Sequence, residues 1–427
     1  MDKSSRISLK RADKPQNQDG FITKVTIKMI TVAEAEAKIV REACALPTEK
    51  IPFGQAAGRI LREPIAADRD LPPFDRVMMD GIALSFKGWS SGRRRFNLSG
   101  IQLPGRPPLT LGSHEDCIKA MTGAPMPRGC DLVVPREEIK EKEGYIKVYD
   151  DFDAQPGRYL HRSGADCVAG DELVSPGAEL GPNEIAVAAS CGYEHLTVTR
   201  KIKIMVIDTG DELVEVGEPI EPHQIRRSNA HALTASCARM FFVVAASRHC
   251  SDNKNALSQA FGESLQKNDV VLLSGGVSKG DHDHVPAILA EHGIEKLFHW
   301  VNQWPGKPMW FGREPRGPLV FGLPGNPLSA MTCFHRYVRD ALRGLAGAQP
   351  RPCLKIVLSH PATHPSPSTG FLPVKLCSSK GGMLEGTPCP PQNSGNFASV
   401  AGTDGFIQLP ADQEEFPIGF EATFFPW

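Results

Sequence analysis

The chain has 427 residues and a mass of 46.4 kDa, a length that suggests about two to four domains. It carries 48 Lys and Arg residues against 49 Asp and Glu residues, so its formal charge is -1. This balance argues against a general nucleic-acid-binding protein, which needs a basic excess. The 40 glycines and 36 prolines predict many turns and short strands and exclude a coiled coil.

The apolar runs, the N-terminal segment and the cysteines together predict a cytoplasmic protein. The longest unbroken apolar run, residues 240–246, is far shorter than the ~20 residues of a membrane-spanning helix. Residues 1–28 are polar and basic without the apolar core of a signal peptide, so we expect a disordered tail, with a weak anion-docking arm as the alternative. The eleven cysteines include no C-x-x-C pair, which excludes a zinc ribbon, and predict reduced thiols.

The first ordered element is predicted at Thr31. Thr31 and Glu34 have the spacing of a capping box, which predicts a helix over residues 32–45. Residues 51–162 then contain short apolar runs broken by proline and glycine, a pattern typical of a β-rich module.

From residue 201 the pattern changes to apolar strands that alternate with helices. The predicted strands are 202–207, 241–245, 269–273 and 319–322. The predicted helices are 229–240, one that contains Leu257, Phe261 and Leu265 on one face, 285–292, and 327–345 with Pro327 in its first turn. This alternation indicates βαβ units and a mostly parallel sheet that is buried on both faces. After a linker at Pro350 and Pro352, short strands and turns predict a small β-domain that reaches Trp427.

A loop with glycine or acidic residues follows each predicted strand of this region. These loops are 208–212, 251–252, 274–283 and 323–326. Because ligands of open α/β sheets bind beyond the carboxyl ends of the strands, we expect the four loops to meet at one edge. Their glycine N–H groups can approach an anion closely, and their carboxylates can hold Mg²⁺. The loops therefore predict a site for a phosphate or pyrophosphate ligand with a divalent ion.

The 274–284 segment also fits two other patterns. His282 and His284 flank Asp283, which leaves a zinc site as an alternative. Residues 276–280 fit G-x-S-x-G, the nucleophile elbow of serine hydrolases, but Pro286 predicts a helix that starts several residues too late for an elbow. Neither a Walker A loop nor a G-x-G-x-x-G fingerprint occurs here.

A series of motifs in fixed order covers the chain from about residue 29 to its end. They are PFD at 73–75, MDG at 79–81, MTGAP at 121–125, DLVV at 131–134, GAD at 164–166, DTGDEL at 208–213, SGGVS at 274–278, GDHD at 280–283, PGKP at 305–308 and LPGNP at 323–327. Together they resemble the molybdopterin molybdenumtransferases, the MoeA family that includes the gephyrin E-domain.

The resemblance implies a multidomain fold of α/β and β architecture in an elongated homodimer. The implied domains are a linking and dimerisation domain of residues 29–50 plus 163–200, a β-rich lid domain of residues 51–162 that reaches over the partner's active site, a three-layer α/β/α molybdopterin-binding domain of residues 201–346 like that of molybdopterin adenylyltransferases, and a small C-terminal β-barrel-like domain of residues 347–427.

The resemblance also implies a reaction in molybdenum cofactor biosynthesis: molybdate enters adenylylated molybdopterin, and AMP is released with the help of Mg²⁺. The implied catalytic residues are Asp80, Thr122, Glu212, Asp252 and Asp283, with Asp80 and Thr122 across the dimer cleft. The implied substrate-binding residues are Arg162, Asp166, Ser274, Gly275, Gly276, Ser278, Lys279, Gly306, Lys307 and Asn326. The implied metal ligands are Asp252, Asp281 and Asp283. A molybdopterin adenylyltransferase and apo-molybdoenzymes are the expected partners, with no nucleic acid and no membrane, in the cytoplasm.

The chain departs from the family pattern at three places. Arg76-Val77 replaces an Asn-Ser pair, His161 starts the basic run before GAD, and Trp304 stands where a lysine is common. A Lys-to-Trp change removes a charge and offers a stacking surface instead. Arg162, Lys279 and the Arg226-Arg227 pair are the cations that can compensate. A non-catalytic paralogue that binds the cofactor as a carrier or scaffold is therefore the alternative function.

Overall fold

The computed structural model describes residues 28–277, 284–315, 317–365, 367–379 and 381–427. The predicted tail up to residue 27 and the predicted site residues Ser278, Lys279, Asp281 and Asp283, with the zinc alternative at His282, lie outside these ranges. Within them, no helix has both the length and the apolar character that crossing a bilayer requires.

The first helix, Val32–Glu42, confirms the predicted capping box. The Thr31 hydroxyl accepts a hydrogen bond from the Glu34 N–H at 3.2 Å, and the Glu34 carboxylate accepts one from the Thr31 N–H at 2.7 Å. The helix ends three residues earlier than predicted. Its buried side chains Val32, Ala35 and Ile39 pack into the core of the central domain.

A small linking unit follows, built from segments distant in sequence. Strand Thr48–Pro52 pairs antiparallel with His195–Thr199, and Ile65–Ala66 pairs with Glu172–Val174. A short 3-10 turn, Phe53–Gln55, and the helix Pro182–Ser190 complete it. Residues 51–66 therefore share a hydrophobic core with residues 172–198.

The lid sheet consists of six strands. Their order is Leu132–Pro135, Gly81–Leu84, Asp116–Ala120, Arg95–Gln102, Tyr145–Val148 and Ile139–Lys142. Only the Arg95–Gln102 and Asp116–Ala120 pair is parallel. A short helix, Phe86–Ser90, packs with Trp89 against one face. Beside the sheet, Arg76–Val77 pairs with Leu160–His161 and joins the two ends of the lid segment.

The central domain contains a six-stranded sheet. Its order is Val243–Cys250, Ile202–Thr209, Val270–Ser274, Leu319–Leu323, Trp310–Arg313 and Glu295–His299. The first four strands are parallel, as predicted from the apolar runs. Trp310–Arg313 pairs antiparallel with both of its neighbours. The sequence does not predict it or Glu295–His299, because a four-residue run with a glycine and a short mixed segment carry no distinct strand pattern. The strand predicted at 241–245 is displaced to Val243–Cys250 and is an edge strand, with Val244 51% exposed.

Helices cover both faces of this sheet and make three layers. They are Ser228–Ala238, Lys254–Lys267, Val285–Glu291, Pro327–Cys333 and Arg339–Leu345, the last two joined by one π-helical turn, Phe334–Val338. Alternate strand residues enter opposite cores: Val206 and Leu272 face one layer, whereas Ile207 and Leu273 face the other. This alternation follows from the two-residue period of a strand, and it confirms the predicted three-layer architecture.

The C-terminal domain is a closed strand barrel. Its strands are Leu354–Leu358, Ala362–Thr363, Thr369–Ser378, Leu384–Pro388, Gly405–Leu409, Glu415–Phe416 and Glu421–Pro426. The ring closes because Thr369–Ser378 pairs with both Leu384–Pro388 and Gly405–Leu409. The short strand Gln303–Trp304 of the central domain extends this sheet. The 3-10 helix Phe397–Val400 precedes strand Gly405–Leu409 in the chain.

Candidate active site

A cavity of about 760 Å³ lies at the carboxyl ends of the four parallel strands. Its wall contains residues from all four predicted strand-following loops, together with residues 225–229 and, from the C-terminal domain, Gly395 and Phe397. The predicted site residues that line it are Glu212, Asp252, Ser274, Gly275, Gly276 and Asn326. The convergence expected from the strand topology is therefore present, and the C-terminal domain supplies part of the wall.

The Ser274–Gly276 turn lies under the cavity and depends on its glycines. Gly275 and Gly276 have φ angles of +99° and +64°, in the region that side chains with a Cβ rarely adopt. A Cβ on Gly276 would lie 2.8 Å from the Val285 side chain. The Gly275 N–H donates to Leu323 O at 3.1 Å, so this turn is bound to the end of the neighbouring strand.

Asp252 connects the first two strand-following loops. Its carboxylate accepts a hydrogen bond from the Thr209 hydroxyl at 2.7 Å, and its N–H donates to the Asp211 carboxylate at 3.1 Å. The side chain remains exposed at the cavity wall. Asp252 is therefore oriented by neighbours that leave carboxylate lone pairs for a ligand.

The electrostatics of the cavity are dominated by a buried ion pair that sequence reasoning did not identify. Arg227 donates to Asp208 through Nε at 2.8 Å and Nη2 at 2.9 Å, and both side chains are more than nine-tenths buried. Its Nη1 donates to Glu215. The Val216 N–H, His231 and Arg227 lower the pKa of Glu215 to about 2. Arg227 is therefore neutralised, and among the described lining residues Arg226 is the cation without a carboxylate partner.

The predicted residues Gly306 and Lys307 lie beside this wall. Pro308 lines the cavity, whereas Gly306 is buried and Lys307 is exposed. Gln303 holds the loop from below, since its side-chain amide donates to Pro305 O at 3.3 Å and to Gly306 O at 3.2 Å. The structure thus brings the PGKP loop to the cavity edge without adding Lys307 to the lining residues.

Trp304 fills a junction between two domains. Its ring packs against His364 of the C-terminal domain, with 6.1 Å between the ring centroids. Burial lowers the pKa of His364. The aromatic ring at position 304 therefore stabilises the contact between the central domain and the barrel.

The other predicted site residues belong to a second group, which we name the lid cluster. It consists of Asp75, Arg76, Asp80, Thr122, His161, Arg162 and Asp166. Asp80 accepts two hydrogen bonds from Thr122, from its N–H and its hydroxyl, each at 2.7 Å. These two bonds lower the pKa of Asp80. The motifs MDG and TGAP therefore meet in space through one carboxylate.

Two of the departures from the family pattern meet in the lid cluster. Arg76 Nη2 lies 2.9 Å from His161 Nδ1, and His161 Nε2 lies 2.9 Å from the Asp166 carboxylate. A guanidinium only donates, so His161 accepts at Nδ1 and donates at Nε2. Arg76 therefore supplies a cation next to the position where His161 lacks a permanent one. None of the described residues that line the cavity comes from this cluster.

The fold and the cavity define a multidomain protein built around a ligand-binding α/β domain. Family models match three consecutive parts of the chain: the MoeA N-terminal region (domain I and II) over residues 30–192, a probable molybdopterin binding domain over residues 205–344, and the MoeA C-terminal region (domain IV) over residues 355–427. The structure is similar to that of a molybdopterin biosynthesis MoeA protein from Pyrococcus horikoshii, with a TM-score of 0.77 and 29% identity over 93% of this chain and 99% of the other.

Curated relatives agree with these models. A molybdopterin molybdenumtransferase from Synechocystis is 37% identical over 87% of this chain and 93% of its own length, and one from Staphylococcus aureus is 30% identical over 91% and 94%. The chain belongs to the molybdopterin molybdenumtransferase (MoeA) family. The resemblance inferred from the motifs is thereby confirmed, and the chain stands among the transferases of molybdenum cofactor biosynthesis.

Proposed function

We propose that this chain inserts molybdate into adenylylated molybdopterin at the cavity of the central domain and releases AMP. The observation that carries the proposal is the convergence of Asp252, Glu212 and the Ser274–Gly276 turn around one cavity. Backbone N–H groups of glycine turns bind phosphates, and the neighbouring carboxylates can orient water toward a phosphoric anhydride. The site therefore combines phosphate binding with groups for anhydride cleavage.

The donor set of the cavity fits Mg²⁺. Mg²⁺ is usually held by one or two carboxylates together with water and substrate phosphates, which matches Glu212 and Asp252. Within the described ranges, no group of three His, Cys, Asp or Glu side chains forms a metal cage of its own. When bound, the ion screens the charge that builds between phosphoryl oxygens. Asp281 and Asp283 remain predicted additional ligands.

In this proposal the chain's own residues bind and orient the substrate. The Ser274–Gly276 turn holds phosphate oxygens, and Asp252, fixed by Thr209, accepts a proton from the attacking water. The lid cluster acts from a second subunit of a homodimer, where Arg76 and Arg162 present cations to the substrate. A molybdopterin adenylyltransferase supplies the substrate, apo-molybdoenzymes receive the product, and the reaction takes place in the cytoplasm.

An assay with the purified full chain tests the proposal. The protein is mixed with adenylylated molybdopterin, molybdate and Mg²⁺, and both AMP release and reconstitution of an apo-nitrate reductase are measured. Asp252→Asn is expected to lower the rate by about a hundredfold because the water loses its base. The matched control is Asp151→Asn, which changes an exposed lid carboxylate outside the cavity and should leave the rate unaffected.

The carrier alternative makes a different prediction for the same assay. A carrier binds molybdopterin but releases no AMP and reconstitutes no nitrate reductase. Binding without turnover by the wild-type chain would therefore overturn the proposed function. Sedimentation velocity at micromolar concentration tests the dimer separately, and a monomer at all concentrations would remove the role given to the lid cluster.

A further inference from the structure

Asn229 lines the cavity and connects two of its loops, although its sequence context predicts only an ordinary helix residue. Its Nδ2 donates to the Ser274 hydroxyl at 2.9 Å and to Gly325 O at 2.8 Å. The Gly325 carbonyl can only accept, so these contacts fix which end of the amide is nitrogen. The side chain is therefore held in one orientation between the Ser274–Gly276 turn and the loop at residues 323–326.

The other end of this amide is unsatisfied. Asn229 Oδ1 is buried and has no hydrogen-bond partner within the described part of the chain. Buried polar side-chain atoms nearly always have a partner, and one that lacks it in a ligand cavity is a candidate for contact with the ligand. Because Asn229 lines the cavity, a ligand that binds against this side chain can supply the missing partner.

The chemistry of the orphan atom limits what it can bind. A side-chain carbonyl oxygen only accepts hydrogen bonds, so it cannot bond to the acceptor oxygens of molybdate or of a fully ionised phosphate. Among the parts of an adenylylated pterin, only those with N–H or O–H groups can pair with it, and the nucleoside and the pterin both provide such groups. The two sources share one chemistry and are separable by experiment.

We propose that Asn229 Oδ1 accepts a hydrogen bond from an N–H or O–H of the nucleoside or pterin part of the substrate, an inference that rests on the proposed function. Asn229 is then a specificity residue: its nitrogen holds two anion-binding loops in place, and its oxygen recognises the organic part of the ligand. The same side chain thus couples the position of the phosphate-binding turn to the identity of the group attached to it.

Binding of three probes to the full chain tests this assignment. AMP carries the nucleoside donors, molybdopterin carries the pterin donors, and molybdate at pH 8 carries none. Asn229→Ala removes both the loop contacts and the acceptor, so it is expected to weaken molybdate binding through the loops and to weaken the binding of AMP or of molybdopterin about tenfold more. The probe with the larger loss identifies the source of the donor. The control Asn97→Ala removes an exposed lid asparagine and should change none of the three.

The outcomes separate the two proposals. Equal weakening of all three probes would show that Asn229 only holds the loops, and no weakening would show that its oxygen contacts nothing; either result overturns the specificity role. If the wild-type chain binds none of the probes, the proposed function fails first and this inference fails with it. Asn229→Ser provides a second variant, with the same expected selectivity, in case the alanine variant is poorly folded.

Discussion

The cavity and the lid cluster hold their charged side chains in opposite ways. In the cavity, Arg227 and Asp208 keep only 9% and 2% of their side-chain surface exposed. In the lid cluster, Arg162 and Asp75 form an ion pair at 2.6 Å but remain 55% and 36% exposed. A buried pair cannot rearrange without a large desolvation cost, whereas an exposed pair exchanges its partner for a ligand at little cost.

The difference in exposure indicates different roles for the two pairs: the buried pair maintains the shape of the cavity, and the exposed pair can contact a ligand. The Arg227–Asp208 pair joins the end of strand Ile202–Thr209 to the start of helix Ser228–Ala238, so it fixes the cavity wall. The lid arginines lie on the surface, where they remain available to an anionic substrate. We therefore expect substitutions at the buried pair to act mainly on stability, and substitutions in the lid cluster to have smaller effects on stability.

The largest effect is expected for Arg227→Met. The substitution leaves the carboxylate of Asp208 buried without a counter-charge, which typically costs about 3–5 kcal/mol. Native-state hydrogen exchange of the amides in strand Ile202–Thr209 measures the free energy of opening. Arg226→Met is the matched control, because Arg226 is exposed and its change should stay within about 0.5 kcal/mol. Equal losses in the two variants would contradict the distinction between buried and exposed charges.

An intermediate effect is expected for Gly81→Ala in the lid sheet. A Cβ at this position would lie 2.0 Å from Val134 O on the neighbouring strand, so the strands must separate, at a cost of about 1–3 kcal/mol. Hydrogen exchange should report the loss in the lid sheet, while AMP binding to the cavity stays unchanged. In the control Gly100→Ala, the nearest atom is the Leu109 side chain at 3.2 Å, which can move. A similar loss in that control would refute the steric explanation.

The residues predicted from sequence are those whose position follows from local pattern. Ser274 ends an apolar strand, Asp252 lies two residues after the end of strand Val243–Cys250, and the carboxyl ends of parallel strands share one edge. The pairing of Arg227 with Asp208 and the contact of Arg76 with His161 carried no such signal. They join positions 19 and 85 residues apart, and such pairings depend on side-chain packing rather than on periodicity.

The departures from the family pattern also show that contacts between distant residues are not evident from the sequence. At position 304 the sequence alone indicates a lost cation, since it does not reveal that the ring packs against His364 in another domain. The edge strand Val243–Cys250 starts two residues and ends five residues later than the predicted 241–245, because its exposed residues interrupt the apolar run. Sequence pattern thus identifies the strands and the loops that follow them, whereas contacts between domains require the folded structure.

The smallest effect is expected for Asp75→Asn, and it depends on pH. Burial alone would raise the pKa of Asp75, but the Ser163 N–H at 2.9 Å and the Arg162 guanidinium outweigh it and lower the pKa below its ordinary value of 3.8. A carboxyl with a lowered folded pKa stabilises the fold above its unfolded pKa, and this contribution disappears as the pH falls through the folded pKa. Because both partners are more than one-third exposed, the contribution at pH 7 is at most about 1 kcal/mol.

Lid stability measured by hydrogen exchange across this pH range tests the sign. The wild-type chain should be more stable than Asp75→Asn at pH 7, and the difference should shrink as the pH falls below 3.8. In the control Asp151→Asn, an exposed carboxylate is lost, and no difference is expected at any pH. A difference between wild type and Asp75→Asn that grows in acid would require a raised pKa. The Ser163 N–H and Arg162 would then not be the groups that set the charge of Asp75.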